Sequence, residues 1–164
     1  MHPKVHTAFA PIVNKDSKVL ILGTMPGERS IEINQYYGHK GNQFWRLMFD
    51  VFNKPFTDKY EDRVALLTKN KIALWDVLSH CEREGSADSA IKNEITNDFK
   101  LFYKKYPNIK HIFFASKHAE KLYNKFVGKS PQYIYYVLPS PSGANASKTY
   151  TEKLREWKSI LKAL

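Results

Sequence analysis

Residues 18–30 read KVLILGTMPGERS, and the junction between the two halves of this stretch decides the fold. The first half is an apolar run with no polar alternation, the pattern of a strand buried on both faces of a sheet. The second half is a turn built on Gly23, Pro26 and Gly27. A buried strand that ends in such a turn implies an α/β architecture, in which the binding crevice lies beyond the carboxyl ends of parallel strands.

Three further runs repeat the strand signal: KIALWDV at 71–77, HIFFAS at 111–116 and YIYYVLPS at 133–140. Helical spacing separates them, in FWRLMFDVF at 44–52, YEDRVALLTKN at 60–70, SAIKNEITNDFKLFYKKY at 89–106 and KHAEKLYNKFV at 117–127. A last helical pattern, TYTEKLREWKSILKAL, fills 149–164. The alternation predicts a three-layer α/β/α fold with a central, mainly parallel four-stranded sheet. The 164 residues, without repeat or linker, are expected to form a single domain over 1–164. The informative residues are then those behind each strand: GTMPG, DVLSHCEREG, SKH and PSPSGANAS.

The first of these loops lacks the Lys and Ser/Thr that close a triphosphate-binding loop, offering Glu28 and Arg29 instead, and it is not G-x-G-x-x-G. Triphosphate hydrolysis and a dinucleotide cofactor are both disfavoured. What remains is a tight turn in which Pro26 fixes φ and Gly27 permits positive φ, so that main-chain amides point into the crevice. Such a turn suits a base, a sugar or a phosphate; an ordinary strand-to-helix turn is the alternative.

Lys and Arg outnumber Asp and Glu by 26 to 16, a formal charge of +10. That balance favours a polyanionic partner, nucleic acid first, although small basic proteins without one share it. The lone Cys81 excludes an internal disulfide and any multi-cysteine cluster. No apolar stretch reaches the ~18 residues needed to cross a bilayer. The chain therefore reads as soluble and intracellular, in the cytoplasm, with no membrane association. The lysines of EKLREWKSILK at 152–162 read as solvating helix faces.

Read in order, GTMPG at 23–27, YGHKGNQFW at 37–45 and LPSPSGANAS at 138–147 resemble the uracil-DNA glycosylase superfamily. ERS after the turn, the double tyrosine 36–37 and the terminal PSPSGANA are most similar to its hypoxanthine-DNA (deoxyinosine) glycosylase branch. LWDVL…GSADSAI at 74–91 fits as well, so the resemblance covers nearly the whole chain. It implies a monofunctional enzyme of base excision repair. Such an enzyme hydrolyses the N-glycosidic bond of a flipped, deaminated base in DNA, most readily hypoxanthine, without cofactor or metal. Nothing in the sequence requires a dimer, so a monomer is expected. A mismatch-specific uracil glycosylase and a noncatalytic nucleic-acid-binding module of the same fold are the alternatives.

The resemblance also implies roles. Gly23, Thr24, Met25, Pro26 and Gly27, with Tyr37 and Ser116, would form the base pocket, Tyr37 stacking on the flipped base. Base–aromatic stacking contributes roughly 1–3 kcal/mol in single-strand recognition; burial for packing is the other reading of Tyr37. Related branches carry Asn or Asp where this sequence has Met25, which cannot activate water and reads as an apolar wall. The catalytic amide then falls on Asn42 of NxFW, orienting water and meeting developing charge; an N-cap before Phe44 is its other reading, and the two are compatible. Ser140, Pro141, Ser142 and Gly143, with Lys117 and Lys148, would contact DNA, His118 adding to the same edge. A Ser-Pro-Ser-Gly surface turn is the plain alternative. His39 and Asp76 are second-tier candidates, His39 reading first as a loop-holding residue and Asp76 equally as a water-assisting or helix-capping one.

Overall fold

The computed structural model describes residues 4–164. The apolar run becomes strand β2 (Val19–Gly23), every residue of which is buried. It lies inside a four-stranded sheet of order β3-β2-β6-β7, completed by β3 (Ile72–Asp76), β6 (His111–Phe114) and β7 (Ile134–Val137), with β1 (Val5–Thr7) outside it. All three pairings are parallel, and they bring Gly23 beside Asp76 and Leu22 beside Phe114.

Strand periodicity divides β2 between two cores. Val19 and Ile21 face a cluster containing Phe44, Trp45, Leu47, Met48, Leu67 and Trp157. These come from α2 (Phe44–Val51), α3 (Tyr60–Lys69) and α6 (Tyr150–Trp157). Leu20 and Leu22 face Phe99, Phe102, Ala119 and Tyr123, from α4 (Phe99–Lys105) and α5 (Lys117–Phe126). The three-layer α/β/α arrangement expected from the sequence is therefore present. A short helix, α1 (Glu28–Ile33), opens behind the first turn.

The single helix expected over 89–106 is not formed. A 3₁₀ turn at Asp88–Ala90 leads into strand β5 (Lys92–Thr96), and helix begins only at Phe99. β5 pairs antiparallel with β4 (Leu78–Glu82), which pairs with β1, giving a second sheet of order β1-β4-β5. Asn93, at φ 53°, sits where the β4–β5 register slips, and its side chain donates to Glu82 Oε2 at 2.6 Å. Asp98 then caps α4 by accepting the Leu101 amide at 3.0 Å. The residues 78–82 expected in the crevice are likewise strand, so of DVLSHCEREG only Asp76 reaches it.

Candidate active site

A cavity of about 840 Å³ opens at the carboxyl ends of the parallel strands. Four segments wall it: the turn 23–27, residues 36–42, residues 86–88 and the loop 140–144. Ala115 and Ser116 close it behind β6. One chain supplies every wall.

Gly23 is where the turn leaves the sheet, and close approach requires its missing side chain. A Cβ there would lie 2.6 Å from Asp76 Oδ1 and 2.9 Å from the Tyr37 hydroxyl. Gly27 does not use the positive φ expected of it. It is extended, at φ −76° and ψ 174°, and leads into α1. What crowds it is Ser86, whose Oγ would lie 3.3 Å from an added Cβ and which accepts the Glu28 amide at 2.9 Å. Arg83 secures the turn from behind: it is 1% exposed, donates to the Pro26 carbonyl and the Ser86 carbonyl, and pairs with Asp88 Oδ1 at 3.7 Å.

Tyr37 adopts a left-handed φ of 52°. For a bulky residue that conformation is costly, of the kind that functional sites retain. One ring face stacks on Phe44 with centroids 4.1 Å apart, and the residue also lines the cavity. Packing and pocket-lining thus coexist. Burial, reinforced by Asp76 and Asp88, pushes its hydroxyl well above the ordinary tyrosine range and keeps it protonated.

Asn42 also combines two functions. Its Oδ1 accepts the Phe44 amide at 2.8 Å, satisfying a free donor at the start of α2 from one residue before the N-cap, which is Gln43 and not Asn42 as expected, while Asn42 stands on the cavity wall. The bond fixes which end of the amide faces the helix and leaves the NH₂ group and one Oδ1 lone pair for other partners. His39 Nδ1 accepts the Gly41 amide at 3.0 Å and so folds its own loop, at the cavity edge.

Asp76 is buried at the end of β3, 4% exposed, and its Oδ2 has no hydrogen-bond partner among the described residues. Burial first, then the negative charge of Asp88, raises its pKa from 3.8 to about 7 against the opposing pull of Arg83. No helix follows it, because the chain turns directly into β4, so the capping reading is withdrawn. Asp88 is also pushed above the usual carboxylate range by burial, an effect moderated by His118, Arg83 and the Thr24 hydroxyl.

The loop after β7 is held by its own serines. Ser140 Oγ accepts the Ser142 amide at 3.2 Å, Ser142 Oγ accepts the Ala144 amide at 3.2 Å, and Asn145 donates to the Ser140 carbonyl. Each hydroxyl keeps its own hydrogen to donate outward. The loop is locked to the Asn42 segment, since the Gln43 amide donates to the Pro141 carbonyl at 2.8 Å. Gly143 packs against the Gly41 carbonyl so closely that a Cβ would overlap it. Because that obstacle is backbone, no rotamer change relieves it. Gly143→Ala is therefore expected to separate the two loops and slow the cavity's chemistry about tenfold or more while the protein still folds. Single-turnover kinetics beside thermal unfolding will check this.

The cavity gathers Gly23, Thr24, Met25, Pro26, Gly27, Tyr37, His39, Asn42, Asp76, Ser116, Ser140, Pro141, Ser142 and Gly143. Ser116 additionally caps α5, accepting the Ala119 amide at 3.1 Å. Lys117 and Lys148 lie outside the lining, and Lys148 pairs with Glu156 at 2.7 Å. Sequence reasoning did not single out Arg83, Ser86 or Asp88, although the GSADSAI segment was part of the resemblance. Among the described residues no group of three His, Cys, Asp or Glu side chains is placed to hold a metal ion, and no helix is long and apolar enough to cross a membrane.

Comparison with known proteins agrees with this geometry. The chain is 37% identical over 146 residues to the hypoxanthine DNA glycosylase of Methanosarcina barkeri, covering 88% of this chain and 91% of that protein. It is 35% identical over 159 residues to the protein of the same name from Methanosarcina acetivorans, covering 96% and 99%. A solution NMR structure described as a candidate uracil DNA glycosylase from Methanosarcina acetivorans superimposes with a TM-score of 0.80 at 35% identity, covering 97% of this chain and 98% of that one. The family model of the uracil DNA glycosylase superfamily matches residues 10–164, which includes every wall of the cavity. With the family model spanning residues 10–164 and two relatives 37% and 35% identical over most of both chains, the chain belongs to the uracil DNA glycosylase superfamily.

Proposed function

We propose that the chain is a monofunctional DNA glycosylase that releases hypoxanthine from deoxyinosine. The observation that carries this reading is the convergence of Tyr37, Asn42 and the 140–143 loop on one cavity. A flipped nucleotide needs an aromatic surface for its base, a polar group at its sugar and a loop that replaces it in the duplex. Tyr37 supplies the first, Asn42 the second, and the serine loop the third. Two relatives named for hypoxanthine support that base over uracil.

In the proposed reaction the C1′–N9 bond breaks with its electron pair leaving on the base. A water oxygen bonds to C1′, and the water's proton ends on the released hypoxanthine. Asn42 is too weak a base to take that proton, so it orients the water through Oδ1 and donates from Nδ2 as charge develops. Its bond to the Phe44 amide holds it in place before substrate arrives. Met25, buried and on the cavity wall, supplies apolar contact to the base. Ser140 and Ser142 donate to backbone phosphates, and the net charge of +10 draws DNA to the site.

The test is single-turnover base release on matched duplexes carrying inosine, uracil or only normal bases, followed by alkaline cleavage at abasic sites. Cleavage selective for inosine is the expected result. Selective cleavage at uracil would replace the substrate, and no cleavage at any lesion would replace the activity.

A further inference from the structure

Lys153 lies in the segment whose lysines read as solvated, yet it is 1% exposed. It shares a face of α6 with Trp157, one turn on, and that face packs inward. Its Nζ donates to Gln43 Oε1 at 2.9 Å and to the Ser142 carbonyl at 3.2 Å. Gln43 follows Asn42 directly, and Ser142 belongs to the loop assigned to DNA. Among the described residues no carboxylate lies within ion-pair distance of it. A buried ammonium without an anion is expensive to keep, and burial pushes it below the usual lysine range. Its hydrogen bonds to two neutral acceptors offset that cost only in part, because neither neutralises the charge.

We propose that Lys153 is a positioning residue that clamps the Asn42 segment to the 140–144 loop, so that the amide and the DNA-inserting loop are held in one fixed relation. Two N–H donors of one ammonium reach both segments at once; a tyrosine hydroxyl reaches as far but has a single hydrogen to donate, and a glutamine amide has two but on a shorter stem. The clamp acts beside the Gln43–Pro141 main-chain bond, and together they bridge the two loops at consecutive residues just ahead of Gly143. The kinetic consequence rests on the glycosylase reading; the structural one does not.

Lys153→Met removes the donors and keeps the bulk. Hydrogen exchange without DNA is expected to quicken at least tenfold for the hydrogen-bonded amides of Asn42, Gln43, Ser142, Ala144 and Asn145, while β2 exchanges as before. Unchanged loop exchange overturns the clamp. On an inosine duplex with saturating protein, base release is expected to slow about 10–100-fold, with half-saturation within threefold and an unfolding temperature within a few degrees of the parent, since relief of the buried ammonium offsets the donor lost by Gln43 and Ser142. An unchanged rate at saturation with weaker binding overturns the proposal, because Lys153 would then act only as charge. Gln43→Leu opens the clamp from its other arm, and the double variant is expected to be no slower than the slower single one; multiplied losses overturn the shared mechanism. A parent that releases no base overturns the glycosylase reading, and loop exchange then decides the clamp alone.

Discussion

Replacing Asn42 with alanine is expected to slow single-turnover base release by about 10²–10³-fold while changing affinity for the lesion duplex severalfold at most. The magnitude is that of losing one preorganised polar group at a developing charge. Affinity survives because Tyr37, the 23–27 turn and the 140–143 loop still line the cavity. The variant also loses a bond at the start of α2, since Asn42 Oδ1 accepts the Phe44 amide at 2.8 Å, and one such hydrogen bond is worth about 1 kcal/mol of stability. Asn42→Ser separates the two effects. A serine hydroxyl also accepts the amide two residues on, somewhat more weakly, but serine has no side-chain amide, so this variant should melt closer to the parent than the alanine variant does and release base as slowly as it. Parental turnover in Asn42→Ser would remove the amide from the mechanism and leave Asn42 as an acceptor for the Phe44 amide alone. Thermal unfolding measured beside the kinetics makes the comparison.

The parts of this site that were legible in the sequence lie in contiguous loops behind buried strands. VLIL announced its strand through unbroken apolarity, and the residues behind it had to lie at the crevice whatever their chemistry. The segment 89–106 misled for a reason that is equally physical. Ile91, Ile95, Phe99 and Phe102 recur at helical spacing, yet Ile95 stands exposed on a strand whose pairing is made with β4, a partner no local pattern reveals. Asn97 and Asp98 were the available signal of a new helix start, and the cap at Asp98 is where helix begins.

Buried charges were the least legible. Lys153 and Arg83 sit among other charged residues, in TEKLRE and CEREG, and nothing local distinguishes them from a solvated helix face or turn. Their burial follows from what the tertiary fold presents to them, carbonyls and an amide that need donors. Gly27 shows the converse error. Glycine there was expected to supply a left-handed turn, whereas the contact with Ser86, from a segment nearly 60 residues away in sequence, crowds that position.

Asp76→Asn is expected to stabilise the protein, with an effect that depends on pH in a defined direction. Asp76 has an ordinary pKa of 3.8 in the unfolded chain and about 7 in the folded one. Between those values the folded state binds the more protons, so stability contributed at this position falls as pH rises from about 4 to 7 and is level above that. The asparagine variant has no such charge to bury. Its advantage over the parent should therefore open across that window and reach roughly 2–4 kcal/mol at neutral to alkaline pH, about 5–12 °C in unfolding temperature. Comparing the two proteins from pH 4 to 9 isolates the carboxylate from the other titrating groups. A gap that narrows with rising pH would show that Arg83 compensates the charge after all. The groups facing Asp76 explain why the fold tolerates it. Its Oδ1 and the Tyr37 hydroxyl occupy the space left by Gly23, and Asp88 adds repulsion that Arg83, engaged with the Pro26 and Ser86 carbonyls, offsets only in part. A carboxyl kept at the cavity wall against this penalty makes Asp76 a candidate for the site's chemistry, and the stabilised variant should therefore also be assayed for base release: slowed release would support that role, and parental release would remove it.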